Sequence, residues 1–309
     1  MAVYYNDSTF LYLDGQFVKA AEAKVDLYGQ SMHYGYAVFE GIRSYRTVTG
    51  ETKIFKAPEH FERLRLSAEA LYLPYPHAAA GLIAATYELL AMNGLQHAYI
   101  RPLVYGPANM SFNRNEVSFL TIQAWEMTPF LGDKLLRVMT SSFQRPNPAG
   151  FIITAKASGH YVNSILASQE AKAKGFDEAL LTDMNGFLAE GPGANMFYEK
   201  DGELFTPATG NILPGITRAT VFELCRELGI KATEKEIRPE ELKTADAAFF
   251  CGTAAEVIGW ESIDDVSFRL PWADTLSRQV QLAYAARIIE QPLDEIKFKA
   301  GEAREASLA

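Results

Sequence analysis

A chain of 309 residues has room for about two domains of roughly 150 residues each. With 48% hydrophobic and 22% charged residues, and 22 Gly and 14 Pro along its length, it is neither disordered, nor collagen-like, nor a disulfide scaffold. Its 29 Lys and Arg against 38 Asp and Glu leave a formal net charge of −9, which repels a phosphate backbone and argues against nucleic acid as a partner.

Met1 to Phe10 carry Asp7 and no long apolar run, so neither a signal peptide nor a membrane-spanning helix is expected there and a cytoplasmic location is the default. Phe10, Tyr12 and Phe17 alternate around Asp14-Gly15, the pattern of a β-hairpin. Phe39 to Thr47 and Lys53 to Phe55 predict a second β pair across a Thr49-Gly50-Glu51 turn. Pro58 suits a first helical position, and Phe61, Leu64, Ala68 and Leu71 step by three or four until Pro74. A second helix runs from Ala78 to Met92 and stops at Asn93-Gly94. Ala98 to Tyr105 and Val117 to Trp125 read as buried strands.

Met127 to Lys134, with Pro129 and Gly132, reads as a linker between a smaller domain, residues 1–126, and a larger one, residues 135–309. Beyond it strands are expected at Leu136 to Ser141, Ala179 to Thr182, Asn195 to Tyr198, Lys231 to Ile237 and Ala247 to Cys251. Helices are expected at about Val162 to Lys174, Thr217 to Leu228 and Trp272 to Ile289.

Several chemistries drop out by spacing. The five histidines (His33, His60, His77, His97, His160) never form H-E-x-x-H, and Cys225 and Cys251 make no metal-ligand pair and read as core thiols. No phosphate-binding G-x-x-x-x-G-K-[ST] loop, G-x-G-x-x-G run or G-x-S-x-G elbow occurs. What remains is one lysine, one carboxylate and two starts of a helix or loop able to hold a phosphate. Lys156 follows the apolar run Phe151 to Ala155, an odd place for an ammonium group. It is either a strand-end lysine whose stem covers apolar surface or an amine kept partly neutral to condense with a carbonyl. Leu213 to Arg218 opens a helix whose free N–H groups, with the Thr217 hydroxyl, suit either an anion or a plain Thr cap. Gly252-Thr253-Ala254-Ala255 is a turn of small residues that allows close backbone approach to a ligand. Arg63 lies off the apolar stripe of its helix, which by itself indicates the surface, and Glu190 could equally be a turn carboxylate.

In these settings the chain resembles the fold-type IV, class IV aminotransferases that use pyridoxal 5′-phosphate (PLP), and most of all the branched-chain amino-acid aminotransferases. The resemblance is carried by His33-Tyr34-Gly35 through Val38-Phe39-Glu40-Gly41-Ile42-Arg43, Ala98 to Leu103, Ala155-Lys156-Ala157, Glu190-Gly191, Leu213 to Arg218 and Gly252 to Glu256. These segments span nearly the whole chain. The resemblance implies a two-domain α+β fold with PLP between the domains. It implies that Lys156 is the catalytic residue, bound to PLP and then shuttling the proton of the substrate α-carbon. Glu190 would pair with the pyridine nitrogen, Tyr161 with the phenolic oxygen, and Arg63, Leu213, Ile216, Thr217 and Thr253 would form the rest of the cofactor site. Arg101 would hold the side-chain carboxylate of glutamate, and an aliphatic side chain would use the same pocket, lined by Phe39, Gly41 and Phe130. The α-carboxylate would lie near Tyr99 and Ala254, while Tyr34 would reach the neighbouring subunit's site in a homodimer at least. Phe130 stands where well-known members carry a tyrosine, Ala194 where a glutamate is common, and the loop 106–115 is shortened.

The implied activity is reversible amino transfer from L-leucine, L-isoleucine or L-valine to 2-oxoglutarate, with L-glutamate as the acidic partner. The rivals are a relative acting on D-amino acids or (R)-amines, or an aminodeoxychorismate-type lyase; Arg101 and the Gly252 to Glu256 turn argue against them. A PLP-fold binding protein without catalysis is disfavoured by Lys156 and Glu190.

Overall fold

The computed structural model describes residues 4–127 and 134–296. The hairpin forms as the Asp14-Gly15 pair dictates: β1 (Phe10–Leu13) and β2 (Gln16–Lys19) meet through two residues with φ of 48° and 95°, the mirror-image turn that matches strand twist. A short helix α1 (Gln30–Tyr34), unforeseen from the pattern, leads into β3 (Ala37–Phe39). The strand expected over Phe39 to Thr47 is instead broken at Glu40-Gly41 and resumes as β4 (Ile42–Arg46), which pairs with β5 (Thr52–Ile54). Phe39 faces Leu103 and Ile42 faces Ile100, so the break costs no register. It turns the Glu40 side chain inward and leaves at Gly41 a backbone that the Tyr99 hydroxyl abuts; a Cβ there would collide with it.

Helices α2 (Ala57–Ala70) and α3 (Ala79–Met92) cover this sheet, followed by β6 (Ala98–Tyr105) and β7 (Phe119–Glu126). The strand order is β2-β1-β7-β6-β4-β5, with β3 also on β6. Phe61 and Leu64 of α2 are fully buried against Ile42, Ile100 and Leu120, each such side chain contributing about 1.5–3 kcal/mol. An adjacent face of α2 carries His60, Arg63 and Ser67, spaced three and four apart, and all three make contacts with polar partners.

The second sheet takes β8 (Leu136–Gln144), β9 (Glu178–Thr182), β10 (Asn195–Lys200), β11 (Glu203–Pro207), β12 (Ala232–Lys235), β13 (Ala247–Gly252), β14 (Glu256–Ile263) and β15 (Val266–Ser267). Its order is β12-β11-β10-β13-β14-β8-β9, with β15 on β14. Parallel β8–β9, β8–β14 and β11–β12 pairs mix with antiparallel ones, and strands β11, β14 and β15 lie outside the sequence expectation. Helix α4 (Tyr161–Ala173) packs on β8 and β9. α5 (Ile216–Glu227) and α7 (Leu276–Ile288) pack on the Phe197 and Phe249 face, with α6 (Pro239–Leu242) on the other side. Both faces are thus covered, and Cys225 and Cys251 are buried thiols; burial pushes Cys225 up to about 12.

Two expected elements differ. The helix drawn from Trp272 begins only at Leu276, because Thr275 caps it, its hydroxyl accepting from Arg278 N, and Trp272–Asp274 is a separate 3₁₀ turn. The apolar run before Lys156 is not a strand: Phe151 N–H donates to Asn147 O and Ala155 N–H to Ile152 O, making successive turns. Ile153 and Ala155 point inward while Phe151 and Ile152 are exposed.

Candidate active site

One cleft of about 560 Å³ opens between the two sheets. Lys156 is placed in its wall by its own backbone. Its N–H donates to Ser67 Oγ at 3.0 Å, and its carbonyl accepts from Phe39 N–H at 3.1 Å. A 3₁₀ turn, Ser158–His160, then feeds α4, and Gly159 N–H donates to Gly35 O at 3.0 Å. At Gly35, with φ of 65°, a Cβ would lie 2.8 Å from Gly159 Cα, so glycine is needed there for both reasons. The turn brings the first residue of α4 over the lysine, and Lys156 Nζ donates to Tyr161 Oη at 2.6 Å. Phe39 lies against both, its ring 4.8 Å from that of Tyr161 and 5.0 Å from Nζ.

Glu190 is buried in the cleft floor. Asn195 Nδ2 donates to Oε2 at 2.9 Å and Leu213 N–H to Oε1 at 3.1 Å; Leu213 therefore acts on the site through its backbone. Arg145 Nε lies 3.0 Å from Oε1, yet its N–H makes no hydrogen bond among the described residues, so the pair is one of charge without good direction. Burial pushes the Glu190 carboxyl above its ordinary range, against the pull of Arg145.

The third corner is built by α2 and α5. Helix α5 starts at Gly215, which offers no capping side chain, so the first N–H groups, those of Ile216 and Thr217, are left for an anion. A Cβ on Gly215 would collide with Asn195 Oδ1, so the close packing that holds Glu190's partner also requires this bare helix start. Arg63 Nη1 donates to Pro214 O at 2.9 Å, just before it. The surface expectation for Arg63 fails, since its side chain is only 12% exposed and bonds Glu40 from Nε and Nη2, at 2.6 and 2.9 Å. Thr253 and Ala254 close this side in the turn between β13 and β14.

The remaining wall is apolar and cationic. Arg101 Nη2 donates to Tyr99 Oη at 3.0 Å, its guanidinium lies 4.4 Å from the Phe39 ring, and its buried Nε has no partner among the described residues. Trp125, 5.1 Å from the Tyr99 ring, extends this wall together with Glu126 and Met127.

The cleft thus brings together Lys156, Tyr161, Glu190, Arg63, Leu213, Ile216, Thr217, Thr253, Phe39, Gly41, Tyr99, Arg101 and Ala254. Tyr34 does not join them; it is half exposed, its ring 5.7 Å from that of Phe112. Phe130 lies outside the described residues. Arg145, Asn195 and Trp125 went unremarked as site residues, since nothing in spacing links Arg145 to a carboxylate 45 positions on.

The donor set suits PLP. A lysine amine beside a tyrosine hydroxyl, a buried carboxylate with incomplete neutralisation, and an arginine at a bare helix start answer in turn to its aldehyde, ring nitrogen and phosphate. Among the described residues no cluster of His, Cys, Asp and Glu could hold a metal ion, and no helix is long and apolar enough to cross a membrane.

Comparison with known proteins agrees. The profile of the class IV amino-transferase family matches residues 37–263. The branched-chain-amino-acid aminotransferase of Salmonella typhimurium is 36% identical over 283 residues, 89% of this chain and 91% of that one. The branched-chain aminotransferase of Thermoproteus uzoniensis, solved with norvaline, superposes with a TM-score of 0.88 at 35% identity over 92% of this chain and 96% of its own. The T.th. branched-chain amino acid aminotransferase, solved with N-(5′-phosphopyridoxyl)-L-glutamate, gives a TM-score of 0.86 at 34% identity over 92% and 95%. The chain belongs to the class IV aminotransferases and, within them, to the branched-chain amino-acid aminotransferases.

Proposed function

We propose that the cleft binds PLP and carries out reversible amino transfer between L-leucine, L-isoleucine or L-valine and 2-oxoglutarate, the two substrates using one pocket in turn. The observation that carries this reading is the lysine amine held 2.6 Å from Tyr161 Oη in a cleft whose other corners are a buried carboxylate and an anion site. PLP, when bound, supplies an aldehyde for the amino group and a protonated ring that takes up the electron pair of the α-carbon.

The chain's own residues do the rest. Lys156 Nζ would hold the cofactor and, once released by substrate, move the proton at the substrate α-carbon. Tyr161 Oη orients that amine. Glu190 would keep the proton on the ring nitrogen, and Arg63 with the N–H groups of Ile216, Thr217 and Thr253 would grip the phosphate. Arg101 would take the side-chain carboxylate of glutamate, while the Phe39 ring beneath it serves an aliphatic chain in the same space, with the α-carboxylate near Tyr99 and the Thr253-Ala254 turn. The ligands of the two solved relatives, an aliphatic amino acid and a glutamate conjugate, support a pocket of this dual kind.

Residues 1–126 and 135–309 would act as two domains around the cofactor. Tyr34 would serve the neighbouring subunit of a homodimer: it sits apart from its own cleft, beside exposed Met110 and Phe112. A solution mass equal to the single chain's 34.3 kDa would contradict that assignment. Activity itself is tested by offering L-leucine, D-alanine and (R)-1-phenylethylamine with 2-oxoglutarate. L-leucine should be the preferred donor, and a preference for D-alanine would move the chain to the D-amino-acid branch.

A further inference from the structure

Glu40 is fully buried between Phe39 and Gly41, two residues of the substrate wall, yet it does not line the cleft itself. Its carboxylate is saturated. It accepts from Arg63 Nε and Nη2 at 2.6 and 2.9 Å, from His60 Nδ1 at 2.7 Å and from the Gly41 N–H at 3.1 Å. His60 is 1% exposed, and burial lowers its affinity for a proton, so it acts as a neutral N–H donor that keeps the carboxylate from rotating. Arg63 meanwhile gives one Nη1 hydrogen to Pro214 O. Three of the five guanidinium N–H groups are thereby committed, and the plane is gripped from two sides. One N–H on each terminal nitrogen remains, on a side chain that lines the cleft beside the start of α5.

We infer that Glu40 is a positioning residue for the phosphate grip: it fixes, through Arg63, the direction of the two N–H groups that meet the phosphate. The inference rests on the PLP reading above. Its logic is one of direction, since the Glu40 charge by itself opposes a dianion; a guanidinium already held in its bound orientation loses less freedom on binding. A purely structural ion pair between α2 and the break after β3 would instead affect every ligand alike.

The test compares dissociation constants for PLP and for pyridoxal, which has the same ring and aldehyde but no phosphate, on the full-length chain. Wild type should prefer PLP. Glu40→Asp keeps the charge but draws the carboxylate back by one methylene; it should cut that preference about tenfold, with pyridoxal affinity changed less than about twofold. Glu40→Gln, which turns the acceptor facing Arg63 Nε into a donor, should lower the preference in the same direction and serves if the Asp variant does not fold. Equal losses for both ligands, an unchanged ratio, or a ratio that rises in Glu40→Gln would overturn the inference while leaving the PLP reading intact. A wild type that binds PLP no better than pyridoxal would overturn the phosphate site itself, and the inference with it.

Discussion

Glu40 and Glu190 are carboxylates of the same type, both buried, one set behind the Arg63 end of the cleft and the other in its lining, and their environments push them in opposite directions. Burial alone raises both. At Glu40 the Arg63 fork and His60 more than offset it and hold the carboxyl well below the usual carboxylate range. At Glu190 the nearby Arg145 is poorly aimed, the other donors are an amide and one backbone N–H, and burial wins. The lesson is that burial does not make a charge functional or structural; the completeness of its neutralisation does. Glu40 has its charge committed within the protein, whereas Glu190 retains capacity for a further cationic partner, which is what a protonated ring nitrogen is.

Lys156 lies within electrostatic reach of both ends, acting on His60 and on Glu190, so removing it should have the largest effect. Lys156→Ala should lower turnover by more than about 10⁴-fold. A variant within tenfold of wild type, measured with L-leucine and 2-oxoglutarate, would break the comparison at its centre.

Next in size are the two carboxylates themselves, read by unfolding the cofactor-stripped chain across pH. Glu40→Gln leaves Arg63 buried without its counter-charge and should cost about 3–5 kcal/mol near neutral pH. Because the Glu40 carboxyl is depressed in the fold, its contribution is present above the ordinary value of 4.5 and is lost as pH falls through the folded value, so the gap between variant and wild type should narrow in acid. Glu190 is raised, so its favourable share is present below 4.5 and is lost as pH rises through the folded value. Glu190→Gln should therefore gain on wild type as pH rises, while its loaded form loses about 10²–10³-fold in kcat. Two variants with the same pH trend would show that the pair has been misread.

The smallest effect concerns the substrate wall. Arg101→Gln should raise KM for 2-oxoglutarate about 10- to 100-fold, the loss of one charge-assisted pair, with KM for L-leucine moved less than about threefold. Equal shifts for both substrates would assign Arg101 to general packing.

Much of this site was legible because its residues break local rules. Lys156 after an apolar run and a bare Leu213 to Arg218 helix start are conspicuous in sequence, and small residues after a buried strand mark the Thr253 turn. What was hidden depends on partners that arrive from elsewhere. Arg63 reads as a surface residue because helix periodicity reports only the face toward the helix's own sheet. Its true neighbour, Glu40, comes from a break in a strand that looks continuous. Arg145 carries no local signal because its carboxylate lies in a different loop. Strand β14 carries a weak signal because it follows the small-residue turn directly and its apolar run is interrupted by Gly259 and Glu261.

The central claim, that one lysine-centred cleft takes an amino group from a branched-chain amino acid and holds it for a second substrate, is tested most directly by a half-reaction. PLP-loaded protein is mixed with L-leucine alone, its visible absorption is followed, and the 2-oxo acid formed is measured. The account predicts loss of the cofactor's visible band with one equivalent of 4-methyl-2-oxopentanoate per site, and recovery of the band on adding 2-oxoglutarate. A band unchanged by L-leucine, with no oxo acid released, would contradict it.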